Sequence, residues 1–354
     1  MKKVQALDET VALLSSRKEA DLEAARAALS EALEAEDEGL RESAVRLLLG
    51  ELARPESRAQ AEVLMLLQSG WWPIQVRMAT VAVNAVLAAL RRSSEDGPEA
   101  DDAALLLTSI CREDPTQLAA LEKALGETTP AVRRAAAGAV GRVGEPALGM
   151  LPLLVALAEG PSDAVASAAV ESMGALASLA PDVVAPALLR QLLRATGVRR
   201  YLALATLRGL LDEARQEGKA RPAGLEELTA AVLPALDDTE PSARLEAVGL
   251  LGLVPATRLA DAALRRHLSD ESPDVAAHAA TALMRLTPTS DEARRTLDAL
   301  LHDEQAERHG AALDALEGLE PAVLFHLRPT LEEAAKSAPE PVRATARELL
   351  ATLG

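Results

Sequence analysis

The chain has 354 residues, with 37 basic and 54 acidic side chains and a formal net charge of −17. That balance lacks the broad cationic face that wrapping nucleic acid requires. Charged residues at 26% and hydrophobic residues at 49% are those of a folded chain and exclude disorder. Cys111 is the one cysteine, which excludes an internal disulfide and a cysteine-built metal site. The aromatics are only Trp71, Trp72, Tyr201 and Phe325, so the core must be alanine and leucine. Helix formers dominate, and the expected fold class is all-α.

The N-terminus, MKKVQALDETVALL, has no apolar run long enough for a signal peptide before Asp8 and Glu9. The longest nearly uncharged stretch, Ala147 to Ala158, is far shorter than a membrane span and contains Pro152. The expected address is the cytoplasm, and the Ala, Leu, Arg and Glu bias is that of a GC-rich bacterial genome.

In chain order, Leu7, Val11 and Leu14 open an amphipathic helix, and Leu22, Ala25, Leu29 and Leu33 mark a second. Leu40, Ala44, Leu47 and Leu48 mark a third. Another helix follows Pro55 and ends at Gly70, and a further one runs from Ile74 to Leu90. Leu40-Arg41 and Val76-Arg77 match a Val-Arg pair that recurs later, so both helices are expected to line the inner layer. Residues 93–101, SSEDGPEAD, read as a loop, and Asp101 to Ile110 as a short helix that the sequence does not pair. Residues 1–112 are therefore read as divergent N-terminal helical repeats forming a cap.

From residue 113 a fixed period takes over. Around Val132 the small and apolar residues Ala135, Ala136, Ala139, Val140 and Val143 form one helical face. Equivalent positions are Val165, Arg199, Ala243, Val275, Arg308 and Val342, spaced by 33, 34, 44, 32, 33 and 34 residues. Such a period signals stacked helix pairs, each too small to bury its own face. Pro130, Pro241, Pro273 and Pro341 stand in first helical turns, where a missing N–H costs nothing. The one longer interval carries EARQEGKARPAG, and residues 213–224 are expected to form a loop that leaves the stack.

The run PAVRRAAAGAVGRVG, Pro130 to Gly144, resembles the HEAT repeat, as do the units at Pro241 and Pro341. The resemblance covers residues ~115–354 well and the first ~110 weakly. It implies a right-handed α-solenoid of about 8–10 helix pairs that binds a protein partner on its concave surface. It also implies an inter-repeat ladder, with Arg133, Arg200, Arg244 and Arg343 against Asp237 or Asp238 and Asp270. Ala166 and Ala276 interrupt it. Other members of that family handle cofactors as bilin-lyase-like proteins or di-iron hydroxylases, and some are DNA glycosylases. None of the five histidines, His267, His278, His302, His309 and His326, is followed by the glutamate of the hydroxylase motif. The glycines at 138, 141 and 144 have helix-packing spacing rather than that of a phosphate loop. No catalytic, metal or cofactor residue is expected, and the chain reads as a non-enzymatic scaffold.

Two stretches are candidate partner contacts. Between Val183 and Leu211 there is no Asp, Glu or Lys, but there are Arg190, Arg194, Arg199, Arg200 and Arg208, with Tyr201 beside them. Arginine and tyrosine are favoured anchors, here for an acidic partner segment; the alternative is pairing with acidic turns of adjacent repeats. Trp71 and Trp72 are the second candidate, either as an exposed hot spot or as a plug at the joint behind the cap.

Overall fold

Each helix in the chain has an alanine-rich face that must be covered by another helix, and the computed structural model shows how this is done. It describes residues 2–69, 76–95, 97–317 and 319–353, with the side chains of 2–5, 69, 76 and 77 left out. Among the described residues there are 21 α-helices and no strand. The fold is an all-α solenoid of helix couples. The chain divides into two units, Met1–Ala180 and Pro181–Gly354.

The first unit contains α1 (Lys2–Leu13), α2 (Glu19–Glu34), α3 (Glu38–Ala53), α4 (Gln60–Ser69) and α5 (Val76–Leu90). It continues with α6 (Glu99–Glu113), α7 (Leu118–Leu125), α8 (Pro130–Val143), α9 (Leu151–Ala158) and α10 (Asp163–Ala175). Helices α1, α3 and α5 stack in one layer, and α2, α4, α6, α8 and α10 stack in the other. The couples are therefore α1/α2, α3/α4, α5/α6, α7/α8 and α9/α10. This corrects the expectation for α3 and α5: both lie in the layer opposite α8, one helix out of phase with the inner-layer reading. Helix α6 has a partner too. It buries Ala100, Ala103, Ala104, Leu106, Leu107, Ile110 and Cys111 between α4, α5 and α8.

Helices α8 and α10 come together backbone to backbone. A Cβ on Gly141 would fall 2.6 Å from the Ser172 Cα, so only glycine lets the two backbones meet. The Ser172 hydroxyl then donates to the Ala137 carbonyl at 2.7 Å. The α8 face around it, with Val132, Ala135, Ala136, Ala139 and Val140, is fully buried. Small side chains contribute little area each, so the layer gains its stability from close contact over the helix length.

The second unit contains α11 (Pro181–Arg194), α12 (Gly197–Gln216), α13 (Leu228–Val232), α14 (Pro241–Leu251), α15 (Arg258–His267) and α16 (Pro273–Leu286). After these come α17 (Asp291–Leu301), α18 (Ala306–Glu317), α19 (Pro321–His326), α20 (Arg328–Ser337) and α21 (Glu340–Thr352). Helices α12, α14, α16, α18 and α21 stack in series, and α11, α13, α15, α17 and α20 are their couple partners. Helix α19 is a short extra turn before α20.

The arginine ladder forms across two successive steps. Arg200 Nη1 lies 3.5 Å from Asp238 Oδ2 in the next turn. Arg244 then makes a two-pronged bond to Asp270, Nε to Oδ2 at 3.0 Å and Nη2 to Oδ1 at 2.8 Å. The same guanidinium donates to the Asp238 carbonyl at 2.9 Å, which ties three turns together. Arg133 makes no ion pair among the described residues, and Arg343 turns to Glu340 beside it. Burial alone would raise the Asp270 carboxyl. The hydrogen bonds from Arg244 and from the Ser272 N–H outweigh it and hold the group below its ordinary value.

A second tie skips couples. Helix α12 has 20 residues against 11 in α14, 14 in α16 and 12 in α18. Its overhanging last turn carries Arg215, which pairs with Glu320, 105 residues further on, at the start of α19. Arg285 of α16 shares the same carboxylate at 3.3 Å. Solenoid repeats ordinarily touch only their neighbours, so this clasp is an exception to the one-dimensional stack.

Two outcomes follow from these ties. Arg244→Ala strands the 7%-exposed Asp270 carboxylate and should lower unfolding free energy by about 3–5 kcal/mol in urea titrations. Because the Asp270 value is depressed, its contribution is present above about pH 4 and fades as pH falls through the folded value; Asp270→Asn should remove that part of the acid slope. Glu320→Gln should raise amide exchange in 212–216 roughly 2- to 10-fold, as expected for two half-buried pairs, and high salt should do the same to the unaltered chain.

Candidate protein-docking surface

Helices α11 and α12 form a hairpin across Ala195 and Thr196, closed by Gly197 at φ 56°, a backbone angle that favours glycine. Helix α11 buries Val184, Ala185, Leu188, Leu189 and Leu192 and sends Arg190 and Arg194 into solvent. Its interior Pro186 has no N–H, and the Arg190 guanidinium reaches back to the Pro186 carbonyl at 3.3 Å.

The structure divides the five arginines into two groups. Arg200 donates Nε to the Ala195 carbonyl at 2.9 Å and pairs with Asp238. Arg208 pairs with Glu246 of α14 at 3.3 Å and lies across Gly249, where a Cβ would fall 2.8 Å from its Nε. Both therefore hold neighbouring couples together. Arg190 and Arg194 are exposed, and Arg199 is half-buried near the hairpin turn. Tyr201 is 37% exposed one helical residue further along.

The hairpin also exposes aliphatic side chains, Leu193 at 56% and Val198 at 65%. The sequence reading did not single these out. The available signal was Leu193, which follows buried Leu192 and so sits off the apolar face of α11. Arginine, tyrosine and aliphatic carbon in one turn make a surface that takes a carboxylate together with an apolar neighbour. Trp71 and Trp72 lie outside the described residues.

Cys111 and several histidines are engaged in structure. Cys111 is buried on α6, and burial, helped by the Asp114 charge, pushes its thiol up to about 11. Its thiolate is therefore scarce at neutral pH. His267 spans the Ala263 and Leu236 carbonyls at 2.9 and 3.0 Å, joining α15 to the turn after α13. His302 meets the Asp298 carbonyl and the Ser337 hydroxyl. His278 is held below its ordinary value, chiefly by burial and then by the Arg208 and Arg285 charges. Among the described residues, no three His, Cys, Asp or Glu side chains gather as metal ligands, and no helix is long and apolar enough to cross a membrane.

The family model for HEAT repeats matches residues 83–174, 118–208 and 229–317. No curated protein matches the chain. Among solved structures, an engineered protein is similar at 18% identity and a TM-score of 0.53, with 98% of each chain covered. Importin beta is similar at 17% identity and a TM-score of 0.55, and a Kap121p mutant at 15% and 0.59. Each likeness covers 99% of this chain, but only 51% of importin beta and 40% of Kap121p. These levels of identity speak for the fold alone. The matched segments span more than half of the sequence, and the chain belongs to the HEAT-repeat family.

Proposed function

We propose that this protein is a non-enzymatic scaffold that captures an acidic segment of a partner protein on the α11–α12 hairpin. HEAT-repeat solenoids commonly serve as protein-interaction scaffolds, which supports the coarser part of the reading. The observation that carries the finer part is the hairpin itself. Arg190 and Arg194 are exposed beside Leu193, Val198 and Tyr201, in a stretch with no acidic residue from Val183 to Leu211.

Electrostatics permit this in a chain of charge −17. Salt screens charges beyond a Debye length of about 8 Å at physiological ionic strength, so an approaching segment responds to the nearest side chains rather than to the whole protein. Arginine suits the task because its planar fork binds a carboxylate with two parallel hydrogen bonds. The acidic remainder of the surface repels other acidic chains and sharpens selection at the α11–α12 hairpin.

The test uses a fluorescein-labelled peptide of alternating glutamate and glycine, read by anisotropy at low and physiological salt. The unaltered protein should bind it, more weakly as salt rises. Arg190→Glu with Arg194→Glu should weaken binding more than about tenfold, the scale of losing charge-assisted bonds, with the thermal midpoint unchanged. Equal binding by the variant would refute the hairpin as the docking site.

A further inference from the structure

The segment after α12 was expected to leave the stack as a loop over 213–224, and the structure differs. Helix α12 continues to Gln216, and Gly218, at φ 63°, ends it with Lys219 N–H bonded to the Ala214 carbonyl at 2.8 Å. The chain then folds back onto α11. The Ala223 N–H donates to Asp182 Oδ1 at 3.0 Å. Gly224, at φ 75°, lies so close to α11 that a Cβ would come 3.0 Å from Pro186 Cγ. The excursion is thus fixed at the proline whose carbonyl receives Arg190.

Between this excursion and the turn before α15 is a cleft of about 300 Å³. Pro222 and Val254 give it apolar walls, Thr229 and Thr257 line it, and Arg221 and Glu226 bring charge. Arg221 makes no hydrogen bond or ion pair among the described residues. The cleft buries part of its otherwise exposed side chain, which lowers the guanidinium from its ordinary value, although it remains a cation. Glu226 makes no ion pair with it. Thr257 Oγ1 accepts the Ala260 N–H at 3.0 Å as the cap of α15, which leaves its own hydrogen to donate. An unpaired guanidinium and a hydroxyl donor against apolar walls form a receptor for a carboxylate.

We infer that the 217–227 excursion completes the docking surface, with the Arg221 cleft seating one carboxylate side chain of the same acidic segment that lies along Arg190 and Arg194. The inference rests on the function proposed above and adds where the segment ends. Along α11 the anchors fall in line. At 1.5 Å per residue Arg190 is about 6 Å and Arg194 about 12 Å from the Pro186 level where the excursion docks. An extended peptide, at about 3.3 Å per residue, covers that distance in a few residues. The cation that the excursion supplies is followed by Pro222, whose fixed φ limits the freedom the loop loses on binding, while Gly218 and Gly224 take the positive φ angles of its bends.

The same labelled Glu-Gly peptide separates the two ideas. Arg221→Gln should weaken binding about tenfold, and Glu226→Gln, which removes the one opposing charge in the cleft, should tighten it about 2- to 5-fold. Both changes are on exposed side chains, and circular dichroism should show them folded. If Arg221→Gln binds as the unaltered chain does while the Arg190/Arg194 reversal does not, the cleft is refuted and the hairpin stands. If Arg221→Gln weakens binding while the reversal has no effect, the cleft stands and the hairpin falls. An unaltered protein that does not bind the peptide overturns both.

Discussion

The constraint that the rest of the structure depends on is that a couple of alanine-rich helices cannot shield itself from water. A pair such as α7 and α8 has too little apolar carbon for a private core, so it must bury a face against the couples on either side. Helix α8 meets this demand with Ala135, Ala136 and Ala139, and with Gly141, which brings α10 within backbone contact. Leucines are placed behind these faces, as at Leu121 and Leu125 of α7, where the second layer closes the couple. The near absence of aromatics follows from the same geometry, since large rings would hold the helices apart.

Close contact without bulk leaves the register of the stack weakly specified by shape, and polar ties supply part of the missing specification. Arg244 collects Asp270 and the Asp238 carbonyl, so the turns of consecutive couples are held at fixed spacing. Arg215 and Arg285 do this over a longer range through Glu320. In the second unit Arg200, Arg208, Arg215, Arg244 and Arg285 meet an acid of a later couple and tie the stack, whereas Arg221 makes no hydrogen bond or ion pair among the described residues.

Particular residues show how far the sequence could be read. The repeat from Val132 onward, the prolines opening α8, α14 and α16, and the Arg200 and Arg244 steps of the ladder were legible. All arise from patterns within one helix or between turns one period apart. The layer occupied by α3 and α5 was not legible. Leu40-Arg41 resembles an inner-helix opening, and an amphipathic face has the same 3.6-residue spacing whichever layer it belongs to. The place of α6 had to wait for the structure, because besides its couple partner α5 it meets α4 and α8, which are not its neighbours in the chain. At the proposed docking surface, the arginine-rich stretch was visible as composition, but the pairing of Arg200 with Asp238 and of Arg208 with Glu246 was not.

By itself, the sequence determined the helical class, the couple as the building unit, the HEAT-type period and the absence of acidic residues around the α11–α12 hairpin. These are local properties, encoded by spacing and charge within a few turns. Only the tertiary structure decided which layer each early helix joins, which arginines are spent on Asp238, Glu246 and Glu320, and that Arg221 faces a cleft beside α11. Those outcomes depend on which residues far apart in the chain are brought together, as for Arg285 and Arg215, 35 and 105 positions from Glu320. Stacking sets that distance, and no window of sequence contains it.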